Sequence, residues 1–505
     1  MGVKIARSTR LVGAPRSFGL GASIGARRAS RPINWALIMT SLERLRRNFI
    51  WAAIAAVVAV AVLAQQIRGG AEGEGTATEP APASIAPVSI QSELTVKVTF
   101  AMHRLAPTVP SAQLLEQASP LKEGGFADRL SYSVLVGAVD GWQSGIEDAR
   151  TVALPEAAVE PARALRDEVI GVMQRNADRG EDEMSAQERA AVDALRGRLG
   201  EVASILTPEG PSAAATTVVA IIAAVSWYGL AFLGGLVVLG IVLVLLATGK
   251  MRPLFAPVSS PHPAIVLGEA FLLWIGLFLG LQIAAGIAAA SLGDALGESL
   301  SLVLSLACFF GSLAAALVYP TMRGMGWGEL RQAVGLHSGR GAVSELVAGV
   351  LCYLGAVPLL AAGLVVFAIL SAIARMIEGP TPPPSHPAVE MLGGAGAGQV
   401  VLLYILASVA APIVEEIMFR GFLYGHLRGA CAPRIRVASV AISALASSVV
   451  FAIIHPQGVL FVPALGGLAV AFCIAREVRG SLIAPMVAHS INNAVTLTLA
   501  LTLLS

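Results

Sequence analysis

The chain is poor in charged residues and in cysteine. Only 13% of its 505 residues are Asp, Glu, Lys or Arg and 55% are hydrophobic, whereas soluble domains carry about 25% charged residues. This balance excludes an ordinary soluble protein and predicts an all-α polytopic membrane protein. The four cysteines lie in or beside apolar segments, and none lies in the polar region of residues 65–212. A disulfide framework is therefore not expected in that region.

Several signatures of known chemistry are also missing. The sequence has no nucleotide-binding motif, so neither a nucleotide nor a nucleic acid is an expected partner. It has no His-Glu-x-x-His helix, which many zinc peptidases carry. The acidic run at 181–183 does not have the spacing of a calcium loop and is interpreted as a solvated surface. No inverted repeat favours a transporter.

Two opposite charge imbalances divide the N-terminal part of the chain. Residues 1–47 hold ten Lys and Arg against one acid, whereas residues 65–212 hold 22 Asp and Glu against 13 Lys and Arg. The positive-inside rule therefore predicts a basic cytoplasmic tail at 1–48 and export of the acidic region. The apolar segment at 49–64 is a signal anchor or, if translation starts at Met39, a cleaved signal peptide.

The exported region is predicted to be a flexible linker at 65–88, rich in Ala, Pro, Glu, Gly and Thr, and then a small α-rich extracytoplasmic domain at 89–212. Alternating residues at 94–100 predict one half-buried strand. Helical spacing at 156–175 and 185–206 predicts two helices, and the second opens with a capping box.

Long apolar runs follow one another closely after residue 212. Basic residues fall mostly on one side of these runs, as the positive-inside rule requires. We expect transmembrane helices at 213–395, a C-terminal membrane core at 396–505 and a multi-pass place in the cytoplasmic membrane. There are eight predicted spans, or nine with the N-terminal segment: 218–247, 264–290, 302–319, 346–373, 400–422, 437–454, 460–474 and 482–504.

Two adjacent carboxylates and an arginine interrupt the apolar run at 400–422. Ionisable groups at membrane depth are costly and are functional by default. Glu416 and Arg420 stand four residues apart on one helical face, which predicts an ion pair. Glu415 points about 100° away and is the candidate for chemistry. Pro412 should distort the helix and admit water. Taken alone, the motif also fits a buried pair that only fixes helix packing.

Two further apolar segments carry polar residues. His455 lies near the end of the span at 437–454, and His489 and Asn493 share one face of the last span. Alone, His455 fits an interfacial histidine, and the other pair fits helix-to-helix hydrogen bonding in lipid. Together with Glu415 they predict one acid/base site. The linear topology, however, places His455 near the outer end of its span and His489 near the inner third.

Chemically, Glu415 and His455 could activate a water molecule as a general base, while His489 and Asn493 donate hydrogen bonds to an oxyanion. A zinc site formed by Glu415, His455 and His489 is the alternative. Metal-free chemistry is preferred, so no cofactor is predicted. Glu269 and Glu345 are expected to form ion pairs near the membrane interface.

These patterns, in this order, resemble the motifs of the CAAX-protease and bacteriocin-processing (CPBP) intramembrane proteases, which include the type II CAAX prenyl endopeptidases. The resemblance covers about residues 396–505. Three motifs carry it: Glu-Glu-x-x-x-Arg at Glu415, Glu416 and Arg420; Phe-x-x-x-His at Phe451 and His455; and His-x-x-x-Asn at His489 and Asn493.

The resemblance implies an all-helical membrane peptidase in which Glu415 and His455 activate water. His489 and Asn493 would form the oxyanion site, and the ion pair would shape it. The substrate would be a membrane-embedded or lipid-modified peptide or protein. Members of the family have been described both as metalloproteases and as metal-free glutamate-dependent enzymes. The competing hypothesis is a non-catalytic membrane scaffold or bacteriocin-immunity protein that binds a peptide with the same polar groups.

Overall fold

A computed structural model describes residues 43, 45–60, 85, 88–179, 184–207, 210–258, 260–292, 298–378, 396–431 and 438–504. Most of the predicted tail and linker and the acidic run at 181–183 lie outside these residues. The described helices are α1 (45–60), α2 (Ile90–Leu105), α3 (Ser111–Gln117), α4 (Phe126–Asp140), α5 (Trp142–Thr151), α6 (Val159–Arg179), α7 (Ala186–Leu199), α8 (Gly210–Ala247), α9 (Pro261–Leu292), α10 (Glu298–Met322), α11 (Trp327–Val334), α12 (Ala342–Glu378), α13 (Ala397–Cys431), α14 (Ala438–Ile453), α15 (Val462–Arg479) and α16 (Ile483–Leu504).

The predicted strand at 94–100 is wrong, because this segment lies inside α2 and no strand occurs in the described residues. The side chain of Ser89 accepts a hydrogen bond from the amide of Ser92 and so caps the start of the helix. Val96 and Phe100, four residues apart, are buried in the hydrophobic core formed by residues between 85 and 206. Capping and packing at helical spacing therefore outweigh the local strand propensity of the β-branched residues.

The remainder of this region is a group of helices with a hydrophobic core cluster of its own, formed by residues between 85 and 206. The predicted capping box is present, because Ser185 and Glu188 bond each other's backbone amides at the start of α7. The predicted helix at 185–206 ends earlier, at Leu199. Gly200 follows with a φ of +55°, and a 3₁₀ turn completes the segment. The predicted end of the domain, at residue 212, lies inside α8, which begins at Gly210. This domain boundary stays a prediction.

Six helices of the described chain are long and apolar enough to cross a membrane. The structure is therefore that of an all-helical multi-pass membrane protein. α14 is a shorter apolar helix of 16 residues, and α16 has 22 residues but carries polar side chains. The count of eight or nine spans stays a prediction. The six are Thr216–Ala247, His262–Ala285, Leu302–Met322, Ala342–Ile377, Ala397–Cys431 and Val459–Arg479.

Hydrophobic contacts join the N-terminal helices α1 and α2 to the membrane-spanning helices at two places. Ile50 and Ile54 of α1 are buried in the same hydrophobic cluster as Phe271 of α9. Leu94 of α2 packs against a small cluster formed by residues of α10, α13 and α16, whose buried members are Leu302, Leu403 and Leu497. The N-terminal helices are therefore packed against the apolar bundle as well as linked to it by α8.

Glycines set the distance between α12 and α15. A Cβ at Gly363 would lie 2.2 Å from the carbonyl oxygen of Pro463, and one at Gly467 would lie 2.5 Å from that of Leu359. Helices in lipid associate by close packing at small residues. The two backbones therefore meet at a separation that a methyl group would not allow.

We expect Gly467→Ala to lower the free energy of unfolding by about 1–3 kcal/mol, because the new methyl group must push α12 away. Gly466→Ala is the matched control, since nothing lies within 4 Å of a Cβ there. The control should be neutral or slightly stabilising, because alanine favours helix. Thermal unfolding in detergent micelles compares the two variants, and equal midpoints would contradict the close approach.

Candidate active site

Helix α13 is irregular where the acidic motif lies. Two π-helical turns, Leu406–Ala410 and Glu416–Leu423, flank a short α-helical segment, Ala411–Glu415, that has Pro412 near its start. Pro412 has no amide hydrogen and its ring disturbs the preceding turn. The predicted distortion near Pro412 is present. Single π turns in α-helices are frequent at functional sites because they redirect side chains.

The predicted ion pair is also present and fully buried. Arg420 Nη1 lies 2.8 Å from Glu416 Oε1, and the two side chains are 1% and 0% exposed. The guanidinium group lies over the rings of Phe451 on α14 and Phe472 on α15, 4.5 and 5.1 Å from their centroids. Its Nη2 atom donates to the carbonyl of Ala469, also on α15, at 3.4 Å. Arg420 thus has both a counter-charge and aromatic contacts away from water.

His489 of α16 joins this pair. Its Nδ1 atom lies 2.9 Å from Glu416 Oε1, and a carboxylate oxygen in an ion pair accepts hydrogen bonds, so Nδ1 is the protonated nitrogen. The ring stacks on Phe472 with 5.2 Å between centroids. These contacts fix the ring so that Nε2 lies 3.8 Å from Glu415 Oε2.

His455 reaches the same carboxylate from another direction. Its Nδ1 atom lies 2.6 Å from the backbone carbonyl of Phe451, to which it donates. The Nε2 atom lies 3.8 Å from Glu415 Oε2. Within the described part of the chain, Glu415 Oε2 is buried and has no hydrogen-bond partner. Distances of 3.8 Å are too long for direct hydrogen bonds, but a water molecule can bridge polar groups at such separations.

The linear topology placed His455 and His489 at different depths in the membrane. They can nevertheless meet, because the helices differ in length. α14 has 16 residues, whereas α12 has 37. α14 ends at Ile453, and His455 lies in the bend that follows. His455 and His489 therefore both lie within 3.8 Å of one oxygen of Glu415.

Asn493 of α16 contacts the backbone of α13, and its oxyanion role stays a prediction. Its Nδ2 atom donates to the carbonyl of Ala407 at 2.8 Å, so one of its two amide hydrogens is already used. Asn492 Nδ2 in turn donates to Asn493 Oδ1 at 3.2 Å. Asn493 therefore contacts the π turn that precedes Glu415.

Sequence reasoning missed Phe472, which both stacks on His489 and covers Arg420. The only signal in the sequence is a large aromatic residue among the small residues of 464–473. Such a residue is usually a packing residue, so its contact with two polar groups required the structure.

The carboxylates at 269 and 345 are paired as predicted. Glu269 Oε2 lies 2.6 Å from Arg323 Nη1, and Glu345 Oε1 lies 2.6 Å from Arg479 Nη2. Each therefore has a basic side chain in direct contact. Glu415 differs, since among the described residues its carboxylate faces two imidazoles at 3.8 Å and has no arginine or lysine in direct contact.

The side chains around Glu415 include types that can bind a metal ion. Among the residues with described positions, no three His, Cys, Asp or Glu side chains form a group that could hold a metal ion. The nearest set is Glu415, His455 and His489, in which both Nε2 atoms lie 3.8 Å from Oε2. Two ligands about 2.0–2.2 Å from a tetrahedral zinc ion would lie roughly 3.3–3.6 Å apart, a few tenths of an ångström closer than these atoms. The side chains are of types that bind zinc, and metal-free chemistry stays a prediction.

The helices and the site define a multi-pass membrane protein with a buried group of acids and histidines in its C-terminal helices. Residues 397–495 match the family described as Type II CAAX prenyl endopeptidase Rce1-like. The chain therefore carries a domain of this protease family at those positions, and the matched range contains all three polar motifs. No curated protein and no solved structure matches the chain.

We expect Arg420→Met to lower the free energy of unfolding by about 3–5 kcal/mol, because Glu416 would lose its guanidinium partner away from water. The double variant Glu416→Gln, Arg420→Met should regain most of this loss, since both members of the ion pair are then neutral. Arg375→Met, at an exposed position of α12, is the control. Thermal unfolding in detergent measures all three, and equal midpoints for Arg420→Met and the control would show that the pair is dispensable.

Proposed function

We propose that this chain is an intramembrane endopeptidase that hydrolyses a peptide bond with water activated by Glu415 and His455. One observation carries the proposal: Glu415 Oε2 is buried, lacks a hydrogen-bond partner among the described residues, and lies 3.8 Å from the Nε2 atoms of two oriented imidazoles. The match of residues 397–495 to a protease family supports it.

In this mechanism a water molecule lies between Glu415 and His455. Glu415 takes a proton from the water as its oxygen attacks the carbonyl carbon of the substrate. The bond between this carbon and the leaving nitrogen then breaks, and the nitrogen takes the proton. His455 holds the water, because its Nδ1 hydrogen is committed to the carbonyl of Phe451 and its Nε2 faces Glu415.

The developing oxyanion is stabilised by His489 and Asn493. His489 acts as an imidazolium whose Nε2 hydrogen points toward the reacting atoms, and its Nδ1 contact with Glu416 at 2.9 Å favours that charge. Asn493 contributes the Nδ2 hydrogen that Ala407 does not use. Such donors act most strongly where bulk water is excluded.

The substrate is a membrane-embedded or lipid-modified peptide or protein, because the site lies among apolar helices in the C-terminal core. The protein acts in the cytoplasmic membrane, in the orientation that the basic N-terminal tail favours. The chemistry is metal-free in this proposal, and Glu415, His455 and His489 are the residues that an ion would otherwise contact.

We expect Glu415→Gln to reduce cleavage at least about 100-fold, because a general base contributes about 10²–10⁴-fold. Glu329→Gln, an exposed carboxylate on α11, is the control and should keep wild-type activity. Mass spectrometry compares the termini of membrane peptides in cells that make each variant at matched levels. Termini unchanged by Glu415→Gln, together with an intact growth or immunity phenotype, would instead support a scaffold.

Removal of metal tests the metal-free proposal. The purified protein should retain cleavage within about twofold after chelation and dialysis, because no proton-transfer step in the mechanism requires a metal ion. Elemental analysis of the same sample measures residual zinc. A loss of activity that added zinc restores would show that Glu415, His455 and His489 close around an ion.

A further inference from the structure

Helix α13 lacks a hydrogen-bond donor at Pro412. In the π turn just before it, the amide of Ala411 donates to the carbonyl of Leu406, five residues back. The next amide in this register would belong to residue 412 and would donate to the carbonyl of Ala407. Proline has no amide hydrogen, so its own helix leaves this carbonyl without that donor. In an apolar interior an unpaired carbonyl is strongly unfavourable.

The side chain of Asn493 supplies the donor from α16. Its amide group lies 2.8 Å from the carbonyl oxygen of Ala407. A carbonyl oxygen can only accept, so the nitrogen of the amide must face it and Oδ1 must face away. The chemistry of the contact therefore fixes which way this amide is turned.

Asn492 holds that orientation. Its Nδ2 atom lies 3.2 Å from Asn493 Oδ1, and this pairing works only if Asn492 presents its donor end. The order of donors is therefore Asn492 to Asn493 to Ala407. We call these two side chains and the Ala407 carbonyl the strut.

We infer that the strut replaces the amide missing at Pro412, and that Asn492 is a positioning residue that acts through Asn493. The strut fixes the π turn that ends five residues before Glu415, and it directs the second Nδ2 hydrogen of Asn493. The catalytic consequence rests on the proposed function. The structural consequence, a coupling between residues 412 and 492, does not.

The first test is Asn492→Asp, which keeps the shape of the side chain but removes its donor. A carboxylate oxygen would then face Asn493 Oδ1, and the repulsion favours rotation of the Asn493 amide away from Ala407. We expect kcat to fall about tenfold or more, because reacting groups are displaced, while KM stays nearly constant. A synthetic peptide that spans the cleavage point found with the wild type is the substrate.

The decisive comparison repeats Asn492→Asp in a Pro412→Ala background. Alanine restores the amide hydrogen that can reach Ala407 O, so the strut is no longer needed. We expect the effect of Asn492→Asp on kcat, measured against Pro412→Ala alone, to shrink to less than about twofold, the signature of two coupled positions. An equal loss in both backgrounds would overturn the inference, since Asn492 would then act independently of Ala407.

The same four proteins are compared by thermal unfolding in detergent, which requires no proteolysis. Asn492→Asp should lower the midpoint by about 2–4 °C in the wild-type background and by much less with Pro412→Ala. If the wild type cleaves nothing, the proposed function fails, and the thermal unfolding cycle still tests whether residues 412 and 492 are coupled through the strut. If it cleaves but both cycles are additive, the strut fails and the proposed function stands.

Two further variants complete the test. Asn492→Ala removes the donor without adding a charge, and it replaces Asn492→Asp if that protein does not fold. Thr502→Val, at an exposed position of α16 nearly three turns away, controls for loss of a polar group on this helix and should match the wild type. A Thr502→Val protein as impaired as Asn492→Ala would contradict a specific role for Asn492.

Discussion

The buried ion pair between Glu416 and Arg420 is the interaction on which the C-terminal helices depend. Both side chains belong to α13. The arginine contacts an aromatic ring of α14 and both a ring and a carbonyl of α15. The glutamate accepts a hydrogen bond from His489 of α16. Two charges removed from water are tolerated only with good geometry and further hydrogen bonds. The four helices provide these partners, so the pair constrains their relative positions.

The same pair leaves its neighbour available for chemistry. Arg420 and His489 Nδ1 both bond to Glu416, and the buried oxygen of Glu415 is left facing two imidazole nitrogens. Glu269 and Glu345 show the contrasting case, because each is held by an arginine. Among the described residues, Glu415 therefore differs from these two carboxylates in having imidazoles rather than an arginine as its neighbours.

Periodicity and spacing predicted the polytopic helical fold, the Glu416–Arg420 pair and the residues that meet around Glu415. They did not predict how those residues meet, because the π turns of α13 and the bend that holds His455 are properties of the packed bundle. The partner of Asn493 was missed for the same reason, since it depends on a carbonyl freed by Pro412. The strand at 94–100 was predicted wrongly because alternation of β-branched residues does not reveal a helix that is buried on more than one side.

Leu94 of α2 has a consequence for the order of assembly. It packs against the cluster of Leu302, Leu403 and Leu497, and Leu497 is synthesised 403 residues later. At about 5–20 residues per second, roughly 20–80 s separate the two events. During that interval this side of α2 lacks its partner on the last helix, so the packing of α2 against the C-terminal helices is completed only after nearly the whole chain has been made.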